Sequence, residues 1–571
     1  MNMDPITTEV VGSRFREAAA TMEHALYHSG YSPILRESKD GTAGLTDPYG
    51  RVVMLSGGLQ YHFTAYEQAV RAVLARYPAD QLREGDSFVC NDPYKAGSPH
   101  ASDYTAVTPA FHQGALIGFG VSLAHKSDIG GLVPGSAGAE AREIYHDGVL
   151  LPPVRFQTAE GPVEDVEAII ANNSRVAEVV LGDLRAQVGA TRIGAQKLAA
   201  LCDEYGRSTL LAVADSLVTL TAKRLQTELA QWADGETTAE GFLDYDGVTP
   251  DRPVRIVVRA IKKGDRLTLD FTGTAPQAGG PVNLVACTVR AASLIALIAA
   301  SDPTILVNSG ISEAVDFVLP EGSVVNPRHP ATVNLYFPSA HLVYNIVLSA
   351  LAQLNPARAV ASSGLCTGAV SIGYRKARSG KPAVLYELLN TSLGGASRHD
   401  GAAIVMAMNH FTPGAPVEIF ESEYPLRIRA FELICDSAGA GRYRGGVGYA
   451  REFEVLEDAV LTVRSSPNHK FTAQGFAGGG APAAPRVILN PYRADRSELG
   501  PLETRALRAG DIIRFERGGG AGYGDPRARD PEAIRADIRN GYVSARAAKE
   551  IYGFAADPEA ELSGGREREK H

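Results

Sequence analysis

Apolar side chains recur every three or four positions in several stretches of the chain, which is the spacing of amphipathic helices. In the longest stretch we expect breaks near Gly182, Gly189 and Gly206, because glycine weakens a helix interior. The last stretch is highly charged and predicts a helical tail. The predicted helical stretches are residues 6–29, 62–77, 164–233, 286–300, 335–354 and 531–554.

Other stretches alternate apolar and polar positions with period two, or join β-forming runs through glycine turns, and these predict β-hairpins. Hairpins are expected at residues 46–58, 103–126 and 254–271. In residues 103–126 two runs of β-forming residues flank the turn His112-Gln113-Gly114. Residues 426–516 contain many short strands separated by glycine and proline, which favours a β-sandwich or a barrel-like unit.

Together these elements predict an α+β, multi-domain fold with a helical, hairpin-containing N-terminal part and a β-rich C-terminal part. A length of 571 residues allows roughly three to five domain-sized units. We divide the chain into an N-terminal region with long helices, a central mixed α/β region, a β-rich region and a C-terminal helical tail. Their expected bounds are residues 1–235, 236–425, 426–530 and 531–571.

Composition narrows the class of protein. Hydrophobic residues make up 45% and charged residues 21%, as in ordinary globular proteins. The formal net charge of −9 argues against nucleic acid or an anionic membrane as a partner. The longest apolar run is too short to span a bilayer, and the N-terminus lacks the features of a signal peptide. Five cysteines without a CxxC pair favour a reduced, cytoplasmic protein.

Glycine is in excess, with 59 Gly beside 33 Pro, which predicts many turns and a site built from backbone. None of the glycine runs has the spacing of a nucleotide-binding loop. The chain has no GxxxxGK[ST], GxGxxG, GxSxG or HExxH motif. We therefore do not expect it to bind ATP through a standard loop.

The strongest chemical pattern consists of NDPYKAGSPHASD at residues 91–103 and AHKSDIGG at residues 124–131. With the hairpin turn near Gln113, Asp103 and His125 are expected to be diagonal neighbours across the two strands. His100 lies on the loop that enters the hairpin. Two imidazoles and a carboxylate indicate a divalent-metal site, and mixed nitrogen and oxygen ligands suit zinc, manganese or iron. The alternative is that these side chains only cap turns.

Further polar residues near this pattern have two possible roles. We take Asp92, Asp128 and Glu143 as candidate catalytic residues that orient the histidines, with turn capping as the alternative for each. His62, in an aromatic stretch before a helix, is a substrate-loop candidate or a packed histidine. Asp40 alone reads as a turn residue.

The pair His24 and His28 also has metal-ligand spacing, but nothing nearby in the sequence completes a site. We expect a solvated or packed role for both histidines.

Several motifs in order carry a resemblance to a known family. NDPYKAGSPHASD, LAHKSDIGGLVPGS, EIYHDGVLLPPVRF, DFTGTAPQAGGPVN and GGGAGYGDP resemble the hydantoinase B/oxoprolinase family, and the resemblance covers about residues 4–556. This family includes the B-type half of N-methylhydantoinase, the β subunit of caprolactamase, the second half of 5-oxoprolinase, and subunits of acetone and acetophenone carboxylases.

The resemblance implies one half of a two-subunit enzyme. A hydantoinase A-like ATPase partner would bind ATP and Mg²⁺ and phosphorylate the amide, lactam or enolate oxygen. In the cyclic-amide branch, water activated at a metal then hydrolyses the C–N bond; in the ketone branch, an activated carbon is carboxylated. The metal, zinc or manganese, would be held by His100, Asp103 and His125, with Asp40 as an additional carboxylate.

The chain also departs from the family pattern. Lys126 stands where a second histidine is usual, so it supplies a cation for a phosphate or carboxylate, unless it is merely a solvated lysine. The surroundings of Asp40 are altered, which weakens its assignment. Three functions stay open: a subunit of an ATP-dependent cyclic-amide hydrolase, which the length favours, a ketone carboxylase subunit, and a structural subunit. Intact His100, Asp103 and His125 argue against the third.

Overall fold

A computed structural model describes residues 4–136, 138–366, 368–376, 380–405, 407–408, 413–464 and 468–555. Helices and sheets are mixed along the chain, as the predicted α+β fold requires. The helices are α1 Pro5–His28, α2 Pro33–Arg36, α3 Phe63–Arg76, α4 Pro93–Ala96, α5 Glu164–Asn172, α6 Ala177–Tyr205, α7 Arg207–Ala230, α8 Ala286–Ala300, α9 Tyr336–Leu354, α10 Val417–Glu423, α11 Pro531–Arg539 and α12 Ala545–Glu550. Residues 556–571, at the end of the region predicted as a C-terminal helical tail, lie outside the described residues.

Within the described residues, the strands form four sheets. They are β1 Gly41–Thr46, β2 Val52–Leu55, β3 Ser87–Cys90, β4 Asp103–His112, β5 Ala115–His125, β6 Val154–Thr158, β7 Gly161–Pro162, β8 Gly235–Leu243, β9 Val254–Lys263, β10 Arg266–Asp270, β11 Val315–Val318, β12 Gly368–Arg375, β13 Pro382–Leu389, β14 Leu426–Leu433, β15 Tyr449–Val455, β16 Ala459–Arg464, β17 Arg486–Leu489, β18 Ser497–Leu499, β19 Leu502–Leu507 and β20 Ile512–Arg517. The sheet orders are β2-β1-β5-β4-β3-β6-β7, β11-β10-β9-β8, β13-β12-β16-β19 and β14-β15-β20-β17-β18.

All predicted helical stretches are helical, but the longest one is broken differently from our expectation. Residues 164–233 contain three helices, and α6 continues through Gly182 and Gly189. A Cβ at Gly182 would lie 2.3 Å from the ring of Tyr31, so glycine here permits close packing. The break at Gly206 is confirmed, because this residue ends α6 with a φ of +82°.

The N-terminal sheet is buried on both faces. Along β4, Tyr104 and Ala106 pack toward α6, whereas Val107 belongs to the core that includes α3 and α8. Because both faces are covered, the central part of the hairpin is buried throughout, including the polar residues Thr105, Thr108 and Ser122. This arrangement holds the open end of the β4–β5 hairpin rigidly inside the protein.

The register of this hairpin differs from the predicted one. The turn at Gln113 and Gly114 is as expected, with positive φ values of 50° and 77°. A bulge between Ala110 and Phe111 then shifts the pairing, so that Asp103 lies directly opposite His125. The diagonal placement of these two side chains was therefore wrong, and the real placement brings them closer.

The second sheet packs against the apolar helices α8 and α9. Helix α9 is long and apolar enough to cross a membrane by length and composition alone. However, 78% of that window is buried inside the protein, as in a core helix. All five cysteines are free, in agreement with the expected lack of disulfides.

The predicted sandwich is present in the C-terminal part. The third and fourth sheets share one apolar core, with Ile372 and Leu461 from one sheet and Phe453 and Phe515 from the other. Strand β12 pairs with β16, a contact that crosses the expected boundary at residue 425. The domain boundaries themselves stay a prediction.

Beside the sandwich, four glycine-rich segments pack backbone against backbone. We call residues 393–401, 437–448, 475–480 and 518–524 the glycine bundle. The amide of Gly439 donates to the carbonyl of Gly520, and the amide of Gly520 donates to that of Gly446. A Cβ at Gly445 would lie 1.9 Å from the carbonyl oxygen of Gly520. Much of the glycine excess therefore serves close backbone approach, as well as the expected turns.

Candidate metal centre

Three side chains converge at the open end of the β4–β5 hairpin. Nε2 of His100 lies 3.0 Å from Oδ1 of Asp103 and 3.2 Å from Nδ1 of His125. Nδ1 of His125 lies 3.1 Å from the same carboxylate oxygen. All three residues are buried. Among the described residues, they form the group whose side-chain ligand atoms lie close enough together to hold one metal ion. The structure thus brings together the three ligands that the sequence predicted.

The cluster has more acceptor lone pairs than hydrogen-bond donors to satisfy them. Nδ1 of His100 faces the backbone oxygen of Asn334 at 2.9 Å, so Nδ1 carries the proton of the neutral ring. A neutral His100 therefore turns a lone pair at Nε2 toward the Asp103 carboxylate. Among the described residues, Oδ2 of Asp103 and Nε2 of His125 are buried without hydrogen-bond partners. A bound cation would satisfy these electron pairs, so the donor set fits a divalent metal.

The electrostatics of the cluster agree with this assignment at Asp103 and His125. Burial opposes ionisation of Asp103, yet the two histidines hold the pKa of Asp103 well below its usual range. Burial lowers the pKa of His125 to about 4. A carboxylate that stays ionised beside an imidazole that stays neutral is the protonation state that metal ligation requires. Burial opposes protonation of His100, but the Asp103 carboxylate and the bonds to Asn334 raise the pKa of His100, so a bound cation would have to displace a proton at its Nε2.

The cluster lines a small cavity of about 40 Å³. A volume of this size holds an ion with a few waters at most. Asp40 lines the same cavity but does not belong to the three-residue group. Burial and then the nearby Asp103 charge raise the pKa of Asp40, whereas His100 and Lys126 lower it, and together they bring it to about 7. Asp40 therefore lies beside the cluster, as the resemblance implied, and its ligation of a metal stays a prediction.

Lys126 and His62 are both buried near the cavity. Lys126 is fully buried, and its ammonium donates to the backbone oxygen of Ala124 at 3.2 Å. A solvated lysine, one of the two alternatives, is therefore wrong. His62 is 1% exposed and its Nδ1 lies 3.1 Å from the hydroxyl of Thr42, as in a packed histidine. Burial lowers the pKa of His62 to about 4.

Two of the three candidate catalytic carboxylates, Asp92 and Asp128, bind loop backbone amides. Asp92 accepts hydrogen bonds from the amides of Tyr94 and Lys95 and caps α4. Asp128 accepts from two loop amides and pairs with Arg175 at 3.0 Å.

Glu143 is half exposed, and its nearest cation is His146 at 3.9 Å. None of the three carboxylates lines the cavity of the cluster. Asp92 and Asp128 make the contacts of turn-capping residues, the alternative that the sequence left open, whereas the side chain of Glu143 caps no turn. We do not carry the three carboxylates into the chemistry proposed below.

The second histidine pair stands apart from the site. His24 and His28 stack on α1 with their ring centres 3.8 Å apart. Within the part of the chain that the structure describes, no third side chain completes a metal-ligand group with them. The expected solvated or packed role agrees with this surface position.

Sequence reasoning missed the residues that form the other wall of the cavity. Tyr61 and Tyr336 form a short hydroxyl–hydroxyl hydrogen bond there. The ring of Tyr386 lies 4.2 Å from that of His125, and Arg464 lies over Tyr386. Asn334 orients His100 from the loop before α9. These residues are far from the hairpin in sequence, and no local pattern marks them.

The fold is α+β and encloses a His-Asp-His cluster that could hold a metal ion. The sequence has no standard nucleotide-binding loop. These features define a class of protein with a candidate metal site. The chain matches the hydantoinase B/oxoprolinase family over residues 4–526. The chain belongs to this family.

Individual relatives agree with this assignment over their full length. A protein of Pseudomonas sp. (strain NS671), provisionally named as the B-type half of a D-/L-hydantoinase, is 30% identical and aligned over 98% of this chain and 96% of its own. The crystal structure of an ATP-dependent caprolactamase from Pseudomonas jessenii matches with a TM-score of 0.89 at 26% identity and covers 100% of both chains.

A nucleotide-free acetone carboxylase structure matches with the same TM-score of 0.89 at 18% identity, over 99% of this chain and 83% of that one. At this identity the likeness shows the fold alone. The hydrolase and carboxylase branches therefore share one architecture, and the architecture does not choose between them.

Proposed function

We propose that the chain is the metal-dependent subunit of an ATP-dependent hydrolase that acts on a cyclic amide such as a hydantoin, an oxoproline or a lactam. The convergence of His100, Asp103 and His125 in a buried cavity, with too few hydrogens for their electron pairs, carries this proposal. Nitrogen and oxygen donors of this kind suit zinc or manganese.

The chain's own residues would prepare the site in three ways. Asn334 fixes the tautomer of His100, so that Nε2 is available as a ligand. Asp103 stays ionised and His125 stays neutral for the reasons given above. The surrounding rings of Tyr61, Tyr336 and Tyr386 exclude water. When bound, a divalent cation supplies Lewis-acid polarisation of a substrate oxygen and eases ionisation of water.

In this proposal a partner subunit uses ATP to activate the substrate. No phosphate-binding loop is present in the sequence, and relatives are named as one of the two halves of a hydantoinase or as the β subunit of a caprolactamase. We therefore propose a hydantoinase A-like ATPase as the partner, which binds ATP and Mg²⁺. We propose the cytoplasm as the location, in line with the reduced cysteines.

The direct test is reconstitution with such a partner. The complex is assayed for ATP turnover and ring opening with hydantoin, 5-oxoproline and a lactam, and separately with ketones plus bicarbonate. We expect ring opening of at least one cyclic amide, and we expect His100→Ala to reduce it by at least 10³-fold. His24→Ala on the surface of α1 is the matched control and should keep full activity.

Two outcomes would contradict the proposal. Stimulation only by a ketone with bicarbonate would favour the carboxylase branch, to which the acetone carboxylase fold also belongs. Unchanged ring opening in His100→Ala, together with a purified complex that holds no divalent ion, would favour a structural role.

A further inference from the structure

Arg464 is a buried cation on the wall of the metal cavity. It is the last residue of β16, it is 3% exposed, and it lines the same cavity as His100, Asp103 and His125. Its Nη2 donates to the carbonyl oxygen of Gly135 and, at 3.3 Å, to the hydroxyl of Ser371. Two of its nitrogens, Nε and Nη1, are buried and have no hydrogen-bond partner among the described residues.

Two other buried arginines, by contrast, pair with carboxylates. Arg451 pairs with the carboxylate of Glu387, and Arg529 pairs with Asp400 at 2.7 Å and with Asp537 at 2.8 Å. Among the described residues, no carboxylate lies within ion-pair distance of Arg464. The guanidinium instead lies 4.9 Å from the centre of the Tyr386 ring.

Tyr386 does not act as the missing counter-ion. Burial raises the pKa of Tyr386 well above its usual range, so the phenol stays neutral. Asp128 acts on the guanidinium only from beyond ion-pair distance and already pairs with Arg175. A bound anion would therefore stabilise this buried charge. Because the ring of Tyr386 also contacts the ring of His125, that anion would lie beside the metal cluster.

We propose that Arg464, with Ser371 beside it, forms an oxyanion-binding subsite that holds the charged end of the reacting molecule next to the metal cluster. The unpaired Nε–H and Nη1–H groups are charge-assisted donors that suit the oxygens of a phosphoryl or carboxylate group. Two sources supply such a group: the phosphoryl transferred from ATP to the amide oxygen, and the carboxylate released when the ring opens. This inference rests on the proposed function for the source of the anion, but the subsite itself rests on Arg464.

The test measures anion binding by the purified full-length chain, without metal and with Mn²⁺. Inorganic phosphate and acetate are the probes, and the readouts are isothermal titration calorimetry and the shift in melting temperature. We expect phosphate, acetate or both to bind the metal-free wild-type chain and to raise its melting temperature. Arg464→Met should weaken that binding by at least tenfold, while the Mn²⁺ stoichiometry stays unchanged.

Two features separate a subsite from a structural role. Arg464→Met should be at least as stable as the wild type in buffer without these anions, because it removes an unpaired buried charge. Arg505→Met, at an exposed position of the adjacent strand β19, is the matched control and should bind both anions normally. Preferential loss of phosphate binding assigns the subsite to the activated substrate, and preferential loss of acetate binding assigns it to the product.

The proposal is overturned if neither anion binds or stabilises the wild-type chain, a result that needs no variant. It is also overturned if Arg464→Met binds both anions as the wild type does. If this variant does not fold, Arg464→Lys keeps the charge but loses the Nε and Nη1 donors of the guanidinium, and tenfold weaker anion binding is again required. Failure of the proposed function would look different, because metal binding or ring opening would then be lost while anion binding to the metal-free chain persisted.

Discussion

The β4–β5 hairpin and the glycine bundle are built by opposite means. At the hairpin, side chains from two strands and a loop meet in a cavity, and the backbone serves to hold them in register. In the glycine bundle, backbones from four segments hydrogen-bond directly to one another, and there is no room for side chains between them. The first region holds the proposed metal site, whereas the second joins distant parts of the chain into one support.

The difference teaches where substitutions should be tolerated. A side-chain site loses its ligand when a residue is changed, but its strands keep their pairing. In the glycine bundle the segments already contact each other through backbone atoms, so even an added methyl group forces them apart. Substitutions in the two regions should therefore separate loss of binding from loss of folding.

The largest effect is expected in the glycine bundle. Gly445→Ala would place a Cβ 1.9 Å from the carbonyl oxygen of Gly520, which cannot move without breaking the bundle. We expect a loss of more than about 4 kcal/mol in the free energy of unfolding, or no folded protein at all. Soluble expression and thermal unfolding followed by circular dichroism measure this.

The matched control is Gly189→Ala, inside α6, where nothing lies within 4 Å of an added Cβ. Alanine should stabilise this helix by about 0.5–1 kcal/mol. If both variants unfolded at the same temperature, the bundle would not be the tightly packed support described here.

A smaller effect is expected when metal is added or removed. The wild-type chain should be stabilised by about 2.7 kcal/mol when free Mn²⁺ or Zn²⁺ is one hundred times its dissociation constant, and a chelator should reverse this. His100→Ala should keep its helical signal but lose most of this stabilisation. Melting temperature against ion concentration is the measurement, and an equal ion response in wild type and variant would remove the metal assignment.

Much of the hairpin region was predictable because its signals are local. Alternating β-forming residues and the turn at Gln113 and Gly114 mark the hairpin, and the family motifs mark His100, Asp103 and His125. The register was not predictable, because the bulge at Ala110 and Phe111 depends on packing against neighbouring elements.

The positions of Tyr386 and Arg464 at the cavity could not be predicted for a related reason. They reach the cavity from β13 and β16, hundreds of residues further along the chain, and no spacing rule connects them to the hairpin. The glycine bundle was visible only as an excess in composition. Its four segments pair through backbone atoms, and backbone atoms leave no pattern of residue types beyond glycine itself.

The smallest effect concerns the link between the helical core and the glycine bundle. His341 on α9 is 1% exposed, and its Nε2 lies 2.7 Å from the hydroxyl of Ser363. The next residue, Gly364, packs against the carbonyls of Gly518 and Gly519. The metal cluster does not use this histidine, so its titration reports on the bundle side alone.

Burial lowers the pKa of His341 to about 3, from an ordinary value of 6.5. A folded-state pKa below the unfolded one gives stability that is present above pH 6.5 and is lost as the pH falls toward 3. Between pH 7 and pH 5.5 the free energy of unfolding of the wild type should therefore fall by about 1 kcal/mol more than that of His341→Gln. Glutamine keeps a hydrogen-bonding group but does not titrate in this range. Urea unfolding of both proteins at the two pH values measures the difference. Parallel pH dependence in the two proteins would show that His341 is not held neutral by the fold, and that acid acts on this link through other groups.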